Sequence, residues 1–118
     1  MSGGVFGQTI VRVRAGERTD RGGNTVADWT PAVVTRTAYD RVSVQPNAQT
    51  EQIDGVSTVR ITGYRVLSEP GTTPDVTALD RIEYAGDTYA VDGEVAAWPD
   101  PDGDDHIEFT MHRVAGSP

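Results

Sequence analysis

The fold of this chain is decided by the stretch Leu79-Asp-Arg-Ile-Glu-Tyr-Ala-Gly-Asp-Thr-Tyr-Ala-Val-Asp-Gly-Glu-Val-Ala-Ala-Trp98. Gly86-Asp87 predicts a two-residue hairpin turn, because a tight turn needs positive φ and glycine adopts positive φ without steric cost. Folding the chain at this turn brings apolar residues opposite one another, in the pairs Tyr84/Tyr89 and Ile82/Val91. Both pairs share one face, so turn chemistry and side-chain alternation agree on a β-hairpin.

Alternating apolar residues predict further strands on both sides of this hairpin. The predicted segments are 9–15, 25–29, 33–45, 56–67 and 107–113. Within 56–67 the apolar positions change phase near Gly63, which predicts a β-bulge or sharp bend. Pro46 predicts the end of the strand before it, and Asp75 predicts a capped helical turn over 75–80. Residues 16–24 read as a charged loop.

These segments predict an all-β fold: a small β-barrel or closed sandwich of six to seven strands with little helix. At 118 residues the chain forms one domain. We expect a flexible N-terminal arm at 1–8, a long polar projecting loop at 46–55 and a flexible C-terminus at 115–118.

Composition narrows the classes of function. The net charge of −8 argues against a conventional nucleic-acid binder, because phosphate contacts need a basic surface. The chain contains no cysteine, which excludes disulfides and thiolate metal sites. No apolar run approaches the roughly 20 residues of a membrane helix, and the start of the chain lacks the regions of a signal peptide. We expect a soluble protein that does not contact a membrane.

No motif for catalysis or metal binding is complete. The acidic turn Asp100, Asp102, Asp104 and Asp105 resembles the start of a calcium loop, but its glycine is fourth rather than sixth and Met111 holds the twelfth place. His106 and His112 lie about 20 Å apart along one strand, too far to bind one metal ion. There is no nucleophile elbow and no phosphate-binding loop. The sequence predicts no enzyme, no metal site and no cofactor.

Two sets of residues remain as candidates for interaction. One set falls on polar strand phases, which indicates either a solvated face or an assembly interface; its members are Arg12, Arg14, Arg41, Arg60, His106 and His112. The other set is the polar run at 46–55, which indicates either a disordered connection or a functional loop.

A family resemblance adds to this interpretation. The run Asp80-Arg-Ile-Glu-Tyr-Ala-Gly-Asp-Thr-Tyr-Ala-Val-Asp-Gly93, followed by Trp98-Pro99, an acidic turn, His106 and a strand ending in Arg113-Val114, resembles the head-closure family of long-tailed bacteriophages. These proteins are also called head-to-tail stoppers or connectors. The resemblance is strongest over 75–114. Upstream, a long strand, a polar loop and a second long strand follow the order of the family.

The resemblance implies a virion protein of the neck, assembled in the host cytoplasm. Family members form a ring, of twelve or six subunits, that contacts portal and adaptor ring proteins on one side and tail proteins on the other. A loop closes the channel by steric contact with packaged DNA. In this chain the channel-closing loop would be Pro46, Asn47, Ala48, Gln49, Thr50, Glu51, Gln52, Ile53, Asp54 and Gly55.

Two alternatives stay open. One is another phage morphogenesis factor, such as an adaptor or tail-completion protein. The other is a small β-barrel that binds oligonucleotides, which would need exposed aromatic residues among basic ones; the net charge of −8 disfavours it.

Overall fold

Six antiparallel strands close into a barrel in the computed structural model, in the order β1-β4-β5-β8-β7-β6, and two further strands pair beside it. The structure describes residues 6–53 and 55–114. The strands are β1 (Gln8–Arg14), β2 (Gly16–Thr19), β3 (Thr25–Asp28), β4 (Thr35–Ile53), β5 (Val56–Ser68), β6 (Arg81–Tyr84), β7 (Asp87–Trp98) and β8 (His106–Arg113). The all-β barrel prediction is confirmed.

The barrel interior is filled by apolar side chains from all six of its strands. Strand β8 shows why the sequence folds this way: Ile107, Phe109 and Met111 alternate along it and all are at most 6% exposed. The rest of the core cluster consists of Ile10, Val42, Val44, Val66, Val76, Ile82, Tyr89 and Val91. Closing the sheet removes most of its edges, which otherwise invite pairing with other chains.

The hairpin of β6 and β7 forms as predicted, but its turn lies one residue earlier. Tyr84 pairs with Asp87, so the turn residues are Ala85 and Gly86, with φ of 51° and 87°. A type I′ turn needs positive φ at both central positions, with glycine favoured at the second. The predicted pairs were therefore wrong, because each residue of β6 pairs with the β7 residue two positions before the predicted one. The predicted apolar face survives, because this shift preserves the alternation of side chains.

The predicted bulge near Gly63 is confirmed. Asn47 pairs with Gly63 and the next residue, Ala48, pairs with Ile61, so β5 carries an extra residue at this point. A Cβ atom on Gly63 would collide with the main-chain oxygen of Met111. Glycine is therefore required where β5 bends past β8.

Connections between the barrel strands lie at two opposite ends. Because every pairing is antiparallel, β1, β5 and β7 run one way and β4, β6 and β8 run the other. One end, which we call the loop end, carries the β2–β3 hairpin, residues 69–80 and the acidic turn at 99–105. The other, the ribbon end, carries the β4–β5 hairpin and the β6–β7 turn.

Residues 69–80 cross the loop end, since they connect β5 with β6 on the opposite side of the barrel. Val76, 7% exposed, closes the core from this side. The predicted helical turn is absent: a single turn joins the Asp80 amide to the Thr77 carbonyl, and the Asp80 carboxylate accepts a hydrogen bond from the Thr77 amide. Asp75 does not cap a helix, because it faces Arg12 and Arg14 instead.

The residues after β1 form a second hairpin, where the sequence predicted a charged loop over 16–24. Gly16–Thr19 pairs with Thr25–Asp28 residue for residue. The Asp20 carboxylate organises the turn by accepting hydrogen bonds from the amides of Gly22 and Asn24. The sequence did not predict β2, because its charged residues suggest a loop. These residues are tolerated in a strand here because both faces of the two-stranded sheet are largely exposed.

Candidate functional site: the β4–β5 ribbon

The candidate functional element is the outer part of the β4–β5 hairpin, residues 47–53 and 56–63, which we call the ribbon. Its two strands pair only with each other within the described residues, because β1 pairs with β4 no further than Val42 and β8 pairs with β5 only from Tyr64. Seven residues of strand span roughly 20 Å. The ribbon therefore extends about that far beyond the barrel.

The expectation that β4 ends at Pro46 was wrong, and the structure shows the reason. The Val44 amide donates a hydrogen bond to Oε1 of Gln8 rather than to β5. Because successive amides of a strand point in opposite directions, the nitrogens two residues before and after Val44 also point away from β5. The Pro46 nitrogen is one of these, so the N–H group that proline lacks would not have donated a hydrogen bond to β5. Most of the predicted loop at 46–55 is consequently a paired strand.

At the tip of the ribbon, Ile53 pairs with Val56. Gly55 adopts a φ of 78°, which glycine accepts without strain. Val56 is 64% exposed beside it. Asp54, the other predicted loop residue at the tip, lies outside the described residues.

An aromatic cluster anchors the root of the ribbon to the barrel. Tyr64, which pairs with Pro46, meets Tyr89 edge to face at 5.5 Å and Tyr84 at 5.7 Å. The Gln8 side chain donates a hydrogen bond to the Tyr84 hydroxyl, and burial raises the pKa of Tyr89. Such ring pairs stabilise by about 1 kcal/mol beyond their buried area. The packed aromatic rings therefore fix the root of the ribbon to the barrel.

Arg12 and Arg14, two of the predicted interface residues, form ion pairs with Asp75 and Asp80 at the loop end. Arg12 is only 7% exposed and donates to the Asp75 main-chain oxygen at 3.0 Å and to the Thr37 hydroxyl at 3.1 Å. Arg14 binds both carboxylate oxygens of Asp80 at 2.9 Å. The interpretation of Arg12 as part of a solvated face was wrong, because residues 69–80 cover it.

The remaining predicted interface residues are scattered rather than gathered in one site. Arg41 is exposed and paired with Glu69, and Arg60 lies in the ribbon opposite Gln49. His112 is exposed near the ribbon end, in contact with Asp92. His106 lies at the loop end, where its ring stacks on Trp98 with the planes 15° apart. A role for these residues in assembly stays a prediction.

Among residues 6–53 and 55–114, no group of three or more acidic or histidine side chains is arranged to hold a metal ion. In the acidic turn, the Asp100 and Asp105 carboxylates accept hydrogen bonds from main-chain amides of the turn itself. No helix in this part of the chain is long and apolar enough to cross a membrane.

Comparisons with known proteins bear on the fold. No protein-family model matches the chain, and no curated protein matches its sequence. A solved chain described as "Virion of native gene transfer agent (GTA) particle" superposes with a TM-score of 0.51. It is 16% identical, and the match covers 92% of this chain and 96% of that chain. The chain is therefore similar in fold, over nearly its whole length, to a component of that virion.

Proposed function

We propose that this chain is a structural virion protein of the phage neck, which joins head to tail and closes the DNA channel with the ribbon. The observation that carries the proposal is the ribbon itself, a paired element projecting roughly 20 Å from one end of the barrel. The likeness in fold to a chain of a GTA virion supports a place in such a particle. The resemblance of 75–114 to head-closure proteins supports the neck.

The structure of the ribbon suits a steric closure. A two-stranded ribbon alone is marginally stable in water, and neither of its outer edges pairs with another strand in the described residues. In a ring, neighbouring ribbons would supply partners for these edges and fill the channel together. The net charge of −8 prevents tight adhesion to DNA phosphates, so the DNA would be blocked but not bound.

The alternative functions fit less well. Adaptors of phage necks are largely helical, whereas the described residues form strands and turns. An oligonucleotide-binding barrel needs aromatic residues among basic ones. The exposed aromatic residue Trp98 instead adjoins the acidic turn at 99–105.

A deletion of the ribbon that keeps the pairing register of β4 with β5 tests the proposal. Replacing residues 48–62 by Asn-Gly joins Asn47 directly to its partner Gly63 and leaves every barrel pairing intact. We expect this variant to fold, to enter particles and to release packaged DNA. The DNA content of purified heads measures the effect.

A matched control keeps the length of the ribbon and removes charge, in the double variant Glu51→Gln and Arg60→Gln. Because steric closure depends on volume, we expect this control to retain DNA as the unmodified protein does. Full DNA retention in heads that contain the shortened variant would refute the closing role.

A further inference from the structure

Two groups of opposite charge, both at the loop end, form no ion pair with an arginine or a carboxylate in the described part of the chain. Arg18 and Arg21 on the β2–β3 hairpin are exposed and form neither an ion pair nor a hydrogen bond in the described residues. The other arginines whose side chains are described each contact an acidic side chain or, for Arg81, the ring of Trp29. The acidic turn at 99–105, with four exposed or half-exposed carboxylates, has no arginine within ion-pair distance.

Each charged group adjoins an apolar feature. Beside the β2–β3 hairpin lies a groove of about 650 Å³, lined in part by Val26, Ala27, Ala78 and Leu79. Leu79 is 85% exposed, an unusual state for a leucine at a groove. Beside the acidic turn stands Trp98, 53% exposed and held by stacking on His106. Aromatic anchors next to arginine–carboxylate contacts are typical of protein interfaces.

The topology separates the two groups across the barrel. The hairpin follows β1 and precedes β4, whereas the acidic turn joins β7 to β8. In the strand order these two positions are three strands apart in either direction, and therefore on opposite sides. One copy cannot bring its own hairpin and turn together.

We propose that copies of this chain associate head to tail, with Trp98 and the acidic turn of one copy docked into the groove and hairpin of the next. The occupant is a second copy because both complementary surfaces belong to the same chain and lie at the same end. Since they face opposite directions, a two-fold dimer cannot satisfy both, and the contact repeats by rotation. This contact is the subunit interface of the ring, and in that sense it rests on the proposed function.

The absence of lysine from the chain allows a direct test. Arg18→Lys or Arg21→Lys keeps the positive charge and introduces a single side-chain amine. A carbodiimide joins an amine to a carboxylate only where the two are in contact. We expect coupling to Asp100, Asp102, Asp104 or Asp105, identified by mass spectrometry, and between copies when isotopically labelled and unlabelled proteins are mixed.

Arg113→Lys is the matched control, because Arg113 lies at the ribbon end and pairs with Asp87. We expect this amine to give no coupling to the acidic turn. A yield from Arg18→Lys and Arg21→Lys no higher than from Arg113→Lys, over a concentration series, would overturn the interface. Coupling within one copy would overturn it as well.

Charge exchange provides a second readout. We expect Arg18→Glu with Arg21→Glu to weaken self-association about tenfold or more, and the loss to fall as salt is added. Mixing this variant with Asp102→Arg and Asp104→Arg copies should restore association. Loss of DNA binding in the first variant with unchanged self-association would identify DNA as the ligand of the hairpin and refute the proposal.

The interface and the channel-closing function can fail separately. If coupling is absent but the ribbon deletion releases DNA, only the interface is wrong. If coupling occurs but heads without the ribbon retain DNA, the chain self-associates and the closing role is wrong.

Discussion

Asp80 links residues 69–80 to the barrel through a nearly buried carboxylate, 3% exposed. Burial alone would raise its pKa, but hydrogen bonds from Arg14 and from the Thr77 amide outweigh burial and hold the pKa of Asp80 below its ordinary value. Asp75 also lies against Arg14, which lowers the pKa of Asp75. The charge of Asp80 thus stabilises the folded state at neutral pH.

Asp80→Asn should lower the free energy of unfolding at pH 7 by about 2 kcal/mol. The substitution removes the charged acceptor of the hydrogen bonds that Arg14, a partly exposed side chain, donates. Because the folded pKa of Asp80 lies below the unfolded one, this stabilisation is present above about pH 4 and disappears as pH falls through the folded pKa. Urea titrations at several pH values measure it.

Glu94→Gln serves as the control for that experiment, because Glu94 is exposed, lies outside the proposed interface and forms no ion pair or hydrogen bond in the described residues. It should leave both the stability and its pH dependence nearly unchanged. Equal losses in the two variants at pH 7 would show that the Asp80 contacts contribute nothing specific.

At the scale of elements, the β6–β7 turn places a residue under backbone strain. Ala85 has a φ of 51°, which costs an L-residue with a Cβ roughly 1 kcal/mol. Asparagine tolerates this region better, and Asn-Gly is the preferred type I′ pair. Ala85→Asn should therefore raise the unfolding free energy by about 0.5–1 kcal/mol, seen as a higher denaturant midpoint with an unchanged m-value.

The companion variant Gly86→Ala should act in the opposite direction. A Cβ at Gly86 meets no atom within 4 Å, so strain at its φ of 87° is the only penalty. We expect a loss of about 1–2 kcal/mol. A destabilised Ala85→Asn together with an unaffected Gly86→Ala would contradict the turn type.

At the scale of the whole molecule, β6 is the barrel strand with the fewest residue pairs. β6 pairs with β1 over three residue pairs and with β7 over four, whereas β7 and β8 share seven. Local opening is easiest where few hydrogen bonds must break together. The amides of Ile82 and Glu83 should exchange with deuterium faster than those of Val66 and Phe109, by hydrogen-exchange NMR. Exchange of β6 at the rate of the slowest core amides would instead indicate that the barrel opens only by global unfolding.

Local patterns in the sequence predicted much of the architecture. The alternation of Ile107, Phe109 and Met111 located a barrel strand, and the phase change at Gly63 located the bulge from which the ribbon departs. The prediction that β4 ends at Pro46 was wrong. A proline in a sequence indicates the end of a strand unless its nitrogen is known to lie on an open edge. That knowledge requires the neighbours of β4, which are distant in sequence.

The candidate site was predictable in position but not in form. The polar run at 46–55 lies within the projecting element, while the pairing of Asn47 with Gly63 shows a ribbon instead of a loop; its role as a functional site stays a prediction. Arg12 is the reverse case: its polar character predicted exposure, and Asp75, 63 residues away, holds it in the covered end of the barrel. A residue pattern cannot reveal a partner supplied by a distant crossing segment.

The sequence by itself determined the all-β class, the β6–β7 hairpin with its apolar face, and the bend at Gly63, because each follows from backbone sterics and nearest-neighbour alternation. Only the tertiary structure decided the strand order, the opposite directions of ribbon and loop ends, and the placement of Arg18 and the acidic turn on opposite sides. Those features depend on closing the sheet, which brings together residues that are dozens of positions apart and that no local pattern relates.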